Sequence, residues 1–149
     1  MQIDKAQSSN NKNTIAKKRH RILAFLMDFI IFVTIGWVIA YLTGGLSEDG
    51  FGYELSGVPA LLMFGVGFLL WPISEAMSGQ TIGKRFFDLK VVSDDFKPIT
   101  FGQAFARFFL GFLDYIFLAG IIVAAFNKQN KRIGDLVAKT VVIKHRYSS

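Results

Sequence analysis

The sequence predicts an all-α membrane protein with two transmembrane helices and a third apolar block. The chain has 149 residues, of which 52% are hydrophobic and only 19% charged, whereas soluble domains carry about 25% charged residues. The apolar residues are not dispersed but fall into long blocks with the charges between them. These blocks comprise residues 22–43, 58–77 and 101–126. The chain length suits one domain.

Residues 1–20 form a polar, basic segment around an Asn- and Ser-rich stretch. Such a segment cannot bury enough apolar surface to fold, so we expect a disordered tail. Its basic end should lie against anionic lipid headgroups at the cytoplasmic surface.

The first apolar block, residues 22–43, is long enough to cross a membrane. Its twenty-two residues would rise about 33 Å as a helix, against a hydrocarbon core of about 30 Å. Asp28 lies within this block and opposes insertion by about 2.5–3.5 kcal/mol. The thirteen Leu, Ile, Phe and Val residues of the block together favour insertion by roughly 4–8 kcal/mol. The span is therefore predicted to form despite its aspartate.

The second block, residues 58–77, follows a loop that carries acidic residues and no Lys or Arg. Pro72 lies inside it, where a missing N–H group predicts a kink. Gly65 and Gly67 leave a thin surface on which another helix can pack.

Basic residues concentrate in the N-terminal tail, in the loop of residues 78–100 and after residue 127, while the first loop has none. The positive-inside rule therefore predicts a multi-pass protein of the cell membrane with a cytoplasmic N-terminus. A third full crossing by residues 101–126 would carry the basic C-terminus outside. The block either spans and violates the rule once, or it enters and returns as a broken helix.

We favour the returning arrangement, with an interfacial helix over residues 101–112, a break near Gly111 and a partly inserted helix to residue 126. Residues 87–92 and 140–144 have the composition of short strands. A returning third block would let these two segments pair as a small cytoplasmic sheet.

Charged residues interrupt the apolar blocks, and such residues usually face protein or water and have partners. Arg21 and Asp28 are seven residues apart, so they share one helix face about 10 Å apart. Arg107 and Asp114 repeat this interval, and Glu75 lies near the predicted cytoplasmic end of the second span. All five side chains are expected to gather in the cytoplasmic half.

Two interpretations of these charges remain open. They form a structural network of ion pairs that clamps the helices, which we favour for Glu75 and Arg107, or they carry a function. Asp28 is the strongest functional candidate, because a carboxylate at that depth cannot reach the headgroups and could exchange a proton or bind a cation.

Several other classes of function are not expected. The chain has no cysteine, which removes disulfides and thiolate chemistry, and His20 and His145 have no metal-like spacing. The segment 78–84 lacks the spacing of a phosphate-binding loop. We find no nucleophile–base pair, so we expect no enzyme, cofactor or metal. The net charge of +6 flanks apolar blocks and does not indicate a nucleic-acid partner.

Three motifs in order resemble those of the RDD family of bacterial membrane proteins, named for one arginine and two aspartates. They are RILAFLMDFIIF from Arg21, SGQTIGKRFFDLKVV from Ser78 and KRIGDLVAKTVVIK from Lys131. The resemblance covers most of residues 21–144, which we take as the membrane domain, with residues 145–149 as a tail. Asp88 departs from the family pattern and leaves the start of the 87–92 strand in doubt.

The resemblance implies site residues and a range of functions. Carried over by position, the named residues are Arg21, Asp28 and Asp135; Asp135 either caps the short helix near it or contacts Arg21 or Arg107. The family is thought to transport unknown small ligands or exchange monovalent cations for protons, and some members resemble accessory proteins of membrane complexes. A homo-oligomer or a membrane-protein partner is expected in either case.

Overall fold

The computed structural model describes residues 14–117 and 130–145, with only the backbone for residues 113–117. Helix α1 runs over Lys18–Thr43 and α2 over Gly57–Phe68. A π-helical turn over Leu69–Ile73 joins α2 to the short α3, Ser74–Ser78. Two helical segments, Lys18–Thr43 and Gly57–Ser78, are long and apolar enough to cross a membrane.

Most residues of both segments lie on the surface of the protein, since only 17% of the most apolar 18-residue stretch of each segment is buried. That surface suits contact with lipid chains. The π-helical turn lies where Pro72 predicts a kink. Proline has no N–H to donate, so the helix widens there.

A small antiparallel sheet lies at the end of the protein where α1 begins. It consists of β1 (Thr14–Ile15), β2 (Leu89–Ser93) and β3 (Thr140–Lys144) in the order β1-β3-β2. Leu89 pairs with Lys144 and Ser93 with Thr140, so the predicted pairing of residues 87–92 with 140–144 is confirmed. The predicted strand started two residues too early, because Phe87 and Asp88 form a turn in which Asp88 has a φ of 54°.

The prediction of a disordered tail over residues 1–20 is wrong for its last part. β1 pairs with β3 through Thr14 and Ile15, and α1 already begins at Lys18. Hydrogen bonds to β3 supply the order that the polar composition does not. Residues 1–13 of the predicted tail, and residues 146–149 of the predicted C-terminal tail, lie outside the described residues.

The third apolar block begins with α5, an unbroken helix over Phe101–Phe117. The predicted break at Gly111 is wrong, because the helix continues through it; glycine costs an exposed helix only about 1 kcal/mol relative to alanine. Residues 118–126, and so the predicted return, lie outside the described residues.

Two short helices connect the long ones to the sheet. α4 (Ile82–Phe86) packs against α1, and α6 (Ile133–Val137) packs against α5. α5 also packs against the π-helical turn. A small apolar core, which includes Ala24 of α1 and Leu89 of β2, joins the sheet to the helices. Both short helices therefore lie between the sheet and the apolar helices.

Candidate functional site

Two arginines from different helices share the carboxylate of Asp135. Arg21 of α1 donates from Nη2 to Asp135 Oδ2 at 2.5 Å, and Arg107 of α5 donates from Nη1 to Asp135 Oδ1. Asp135 lies in the first turn of α6, and its Oδ2 also accepts from the Arg132 backbone N–H at 3.1 Å. Both alternatives proposed for Asp135 are thus observed, the helix cap and the ion pairs.

Arg107 extends the network to Glu75. Its Nε donates to Glu75 Oε2 at 3.1 Å, while Glu75 Oε1 accepts from Lys84 Nζ. Arg107 Nη1 also donates to Thr140 Oγ1 at 2.6 Å. The planar guanidinium reaches partners in several directions at once, which a lysine ammonium on the same stem does not. Arg107 is therefore the central link between α3, α6 and β3.

Asp28 belongs to a second group, in which its direct partners are uncharged. Oδ2 accepts from the Thr81 hydroxyl at 2.5 Å, and Oδ1 accepts from the Gly83 backbone N–H at 2.7 Å. The Thr81 hydroxyl oxygen in turn accepts from the Lys84 N–H at 3.2 Å and caps α4. Asp28 is only 2% exposed, and it fastens α4 to α1.

Gly83 allows this close contact between α1 and α4. A Cβ atom at residue 83 would lie 2.0 Å from the Ala24 carbonyl oxygen and 3.0 Å from the Asp28 carboxyl carbon. A side chain there would push α4 off the helix, so glycine is required for packing at this position.

Burial and neighbouring charges act in opposite directions on two groups of the network that lie outside the apolar spans. Burial raises the pKa of the Asp135 carboxyl, but the guanidinium groups of Arg107, Arg21 and Arg132 outweigh burial and hold that pKa below its usual value. Burial, and after it the same arginines, lower the pKa of Lys84 well below its ordinary value. The arginines therefore make the electrostatic potential positive at these two groups.

The network lines one end of a cavity of about 440 Å³ between α1, the π-helical turn, α5 and α6. Among the described residues, four cationic and three anionic side chains line it: Arg21, Lys84, Arg107 and Arg132, with Asp28, Glu75 and Asp135. Its walls are aromatic and include Phe25, Phe32 and Phe108. The volume lies in the range of small-molecule sites, about 300–1,000 Å³.

The structure brings five of the six candidate residues to this cavity: Arg21, Asp28, Glu75, Arg107 and Asp135. The sixth, Asp114, lies on α5, and its side chain is outside the described part of the chain. Their ligand-binding role stays a prediction.

Sequence reasoning missed the partners Thr81, Gly83, Lys84 and Arg132 as site residues. A signal existed, because Thr81 to Lys84 lie in the motif SGQTIGKRFFDLKVV and Arg132 in KRIGDLVAKTVVIK. The predicted residues Arg21, Asp28 and Asp135 lie in the first and third motifs, whereas Thr81, Gly83 and Lys84 lie in the second.

Two comparisons with known proteins find sequences similar to most of this chain. The model of the RDD family matches residues 15–139. The chain is also similar to the uncharacterized protein YxaI of Bacillus subtilis (strain 168), with 28% identity over 141 residues that cover 83% of this chain and 93% of the relative. No solved structure matches.

Proposed function

The chain belongs to the RDD family, and we propose that it binds a small anionic ligand within the membrane, the first step of transport. The observation that carries this proposal is the charged end of the 440 Å³ cavity. Two helices able to cross a membrane support a membrane protein, and residues of both helical segments and of α5 line the cavity.

The sign of the charge on the ligand follows from the side chains that line the cavity. Three arginines, which stay charged in proteins, line the cavity together with Lys84 and three carboxylates among the described residues. Both Asp135 oxygens and both Glu75 oxygens already accept from cations. A further cation would meet a positive potential, whereas an anion is attracted.

This argument weighs against the exchange of monovalent cations for protons. Asp28 is the carboxylate that such exchange would need, because its two observed donors are neutral. Liposomes that contain the protein and a pH-sensitive dye test exchange: a pH gradient dissipated on addition of Na⁺ or K⁺, and lost in Asp28→Asn, would contradict the anion proposal. We expect no cation-dependent change.

The orientation with the sheet in the cytoplasm is supported by the charge distribution and by the sheet itself. The loop 44–56 carries Glu48, Asp49 and Glu54 and no basic residue. β1, which precedes α1, lies in the same sheet as β2 and β3. The segment before α1 and the segment after residue 130 therefore lie at the same end of the protein. Because the chain on both sides of block 101–126 lies at this end, the sheet supports a return of the block to the cytoplasmic side and a cytoplasmic N-terminus. The two apolar helices support a location in the cell membrane.

Thermal unfolding of the protein in phosphatidylcholine nanodiscs tests directly whether the ligand is an anion or a cation. A ligand that binds only the folded state raises the melting temperature by mass action. We expect inorganic phosphate or hexanoate to raise the Tm at constant ionic strength, and hexylamine to leave it unchanged. Equal shifts by hexanoate and hexylamine would contradict the proposal.

A second candidate function is that of an accessory protein in a membrane complex, in which the buried ion pairs are structural and tie the helices together. The outer edge of β2 is already occupied, since the Val91 N–H donates to the Gly79 carbonyl at 2.7 Å and the Leu89 carbonyl accepts from Gln80 Nε2 at 2.8 Å. Recovery of a stoichiometric partner in detergent, with no saturable anion binding by the same protein, would favour this candidate; saturable anion binding without a partner would oppose it.

A further inference from the structure

A second, apolar cavity of about 360 Å³ lies next to the charged cavity. Phe32, Trp71 and Phe108 line both. Beyond them the apolar cavity is lined by residues such as Met63, Phe64 and Gly67 of α2. We refer to these two adjacent cavities together as the space, which is charged at one end and apolar at the other.

The far end of this space does not suit an anion. The apolar cavity meets a third cavity at Leu55. This third cavity is lined by the loop that carries Glu48 and Glu54. An anionic group is attracted to the arginines at one end, is disfavoured by the aromatic walls and is repelled by the acidic loop. The anionic part of a ligand therefore stays at the arginine end.

Among the residues that the structure describes, none covers one side of the charged cavity, which faces the apolar surroundings. Phe29 of α1 and Phe112 of α5 line the charged cavity and are 47% and 65% exposed. α1 packs against α2 and α4, while α5 packs against the π-helical turn and α6. Within the described ranges no extensive contact joins α1 to α5. A ligand from the lipid layer can enter between these two helices.

Trp71 adds a polar group at the junction of the two cavities. Its indole Nε1 is buried and has no hydrogen-bond acceptor among the described residues. A buried donor without an acceptor costs about 1–3 kcal/mol. The glycerol and ester oxygens of a lysophospholipid, which lie between its phosphate and its chain, could accept from this N–H group, whereas the chain of a fatty acid could not.

From these observations we infer that the ligand is a single-chain anionic amphiphile, such as a fatty acid or a lysophospholipid. The inference rests on the proposed function that the charged cavity binds an anion. The anionic head lies at the end formed by Arg21, Arg107 and Arg132, and the acyl chain passes Trp71 into the apolar cavity beside Gly67. A soluble anion without a chain would use only the charged half of the space.

Tryptophan fluorescence in phosphatidylcholine nanodiscs tests the position of the chain. The protein has two tryptophans, so Trp37→Phe leaves Trp71 as the reporter and Trp71→Phe leaves Trp37. Palmitate and lysophosphatidate, each brominated along the chain, should quench Trp71 saturably, and the unbrominated forms should reverse the quenching. Brominated methyl palmitate, which has no charge, should quench it only weakly.

Two glycines of α2 provide a matched pair of variants. A Cβ at residue 67 would lie 3.5 Å from the Phe32 ring, whereas a Cβ at residue 65 meets nothing within 4 Å. Gly67→Leu should fill the apolar cavity and weaken the binding of palmitate by about tenfold or more, equivalent to about 1.4 kcal/mol. Gly65→Leu should bind as the wild type does.

The outcomes separate this inference from the proposed function. Equal affinity for hexanoate and palmitate would overturn the inference that the ligand is an amphiphile, and so would unchanged palmitate binding by a folded Gly67→Leu variant. Either result would leave the proposed anion site intact. Saturable quenching of Trp71 by methyl palmitate equal to that by palmitate also overturns the amphiphile inference. If Gly67→Leu does not fold, the quenching of Trp71 by the two brominated anions decides. No binding of any anion overturns both.

Discussion

Arg21 and Asp135 form a buried ion pair, Nη2 to Oδ2 at 2.5 Å, across 114 positions of the chain. Their side chains are 7% and 3% exposed. The pair joins the start of the first apolar helix to the short helix before the last strand. It thus connects the two ends of the described fold.

The first prediction concerns the coupling of these two residues. Arg21→Gln and Asp135→Asn should each lower the free energy of unfolding by about 3–5 kcal/mol, because each leaves a buried charge with a lost partner. The double variant should lose less than the two single losses combined, by about 0.5–3 kcal/mol. Chemical denaturation in detergent measures all three variants, and strictly additive losses would refute the coupling.

The second prediction concerns the pH dependence of Asp135. The arginines lower its pKa in the folded protein below the ordinary value of 3.8, so the unfolded chain takes up the proton first as the pH falls. The stabilisation is present above about pH 4 and is lost as the pH falls toward the folded pKa. The Tm difference between wild type and Asp135→Asn should therefore be constant above about pH 5 and narrow as the pH falls from about 5 to 3. A constant difference would show that the carboxylate charge is not the cause.

The third prediction separates the charge of Asp28 from its hydrogen bonds. Asn has the shape to accept from the Gly83 N–H and to face the Thr81 hydroxyl, whereas Ala leaves both donors of Asp28 unsatisfied. Asp28→Ala should be less stable than Asp28→Asn by about 1–3 kcal/mol. Equal melting temperatures for the two variants would show that the hydrogen bonds do not hold α4.

The fourth prediction uses the close approach of α4 to α1. Gly83→Ala should reduce the yield of folded protein sharply, because its Cβ would overlap the Ala24 carbonyl oxygen at 2.0 Å. Gly65→Ala is the control, since nothing lies within 4 Å of that Cβ. Size-exclusion chromatography in detergent compares the two. A Gly83→Ala variant as monodisperse as the control would contradict the packing.

The fifth prediction concerns orientation. Because the chain has no cysteine, single cysteines at Asp49, Asp94 and Arg146 can be labelled from outside intact cells. We expect labelling at residue 49 only, because loop 44–56 has no basic residue and the sheet end is basic. Labelling at residue 146 would contradict the return of the third apolar block.

Much of this fold could be predicted from hydropathy and local composition. The two apolar helices follow from runs of residues long enough to cross a bilayer, and the pairing of β2 with β3 from two short segments rich in valine. β1 was not predictable, because Thr14–Ile15 is only two residues long within a polar stretch and is held as a strand by pairing with β3. The continuity of α5 through Gly111 could not be predicted, because a single glycine costs a helix only about 1 kcal/mol and does not decide where the helix ends.

The candidate site was predictable as a set of charges but not as a set of contacts. Arg21 and Asp28 share a helix face, as their spacing indicates, yet they contact different partners, Asp135 and Thr81. Helical spacing gives the face of a residue, and the long-range partner depends on where distant short helices dock. The contacts of Thr81 with Asp28 and of Lys84 with Glu75 could therefore be identified only from the structure.

The central claim is that the charged cavity binds an anion, and a matched pair of arginine variants tests it most directly. Arg132 lines the cavity, while Arg85 is exposed and is not among its lining residues. The measurement is the dissociation constant of hexanoate, by calorimetry in phosphatidylcholine nanodiscs, for the wild type, Arg132→Gln and Arg85→Gln. We predict that Arg132→Gln weakens binding by about tenfold and that Arg85→Gln leaves it unchanged. Equal affinity in all three proteins, or no saturable binding to the wild type, would contradict the claim.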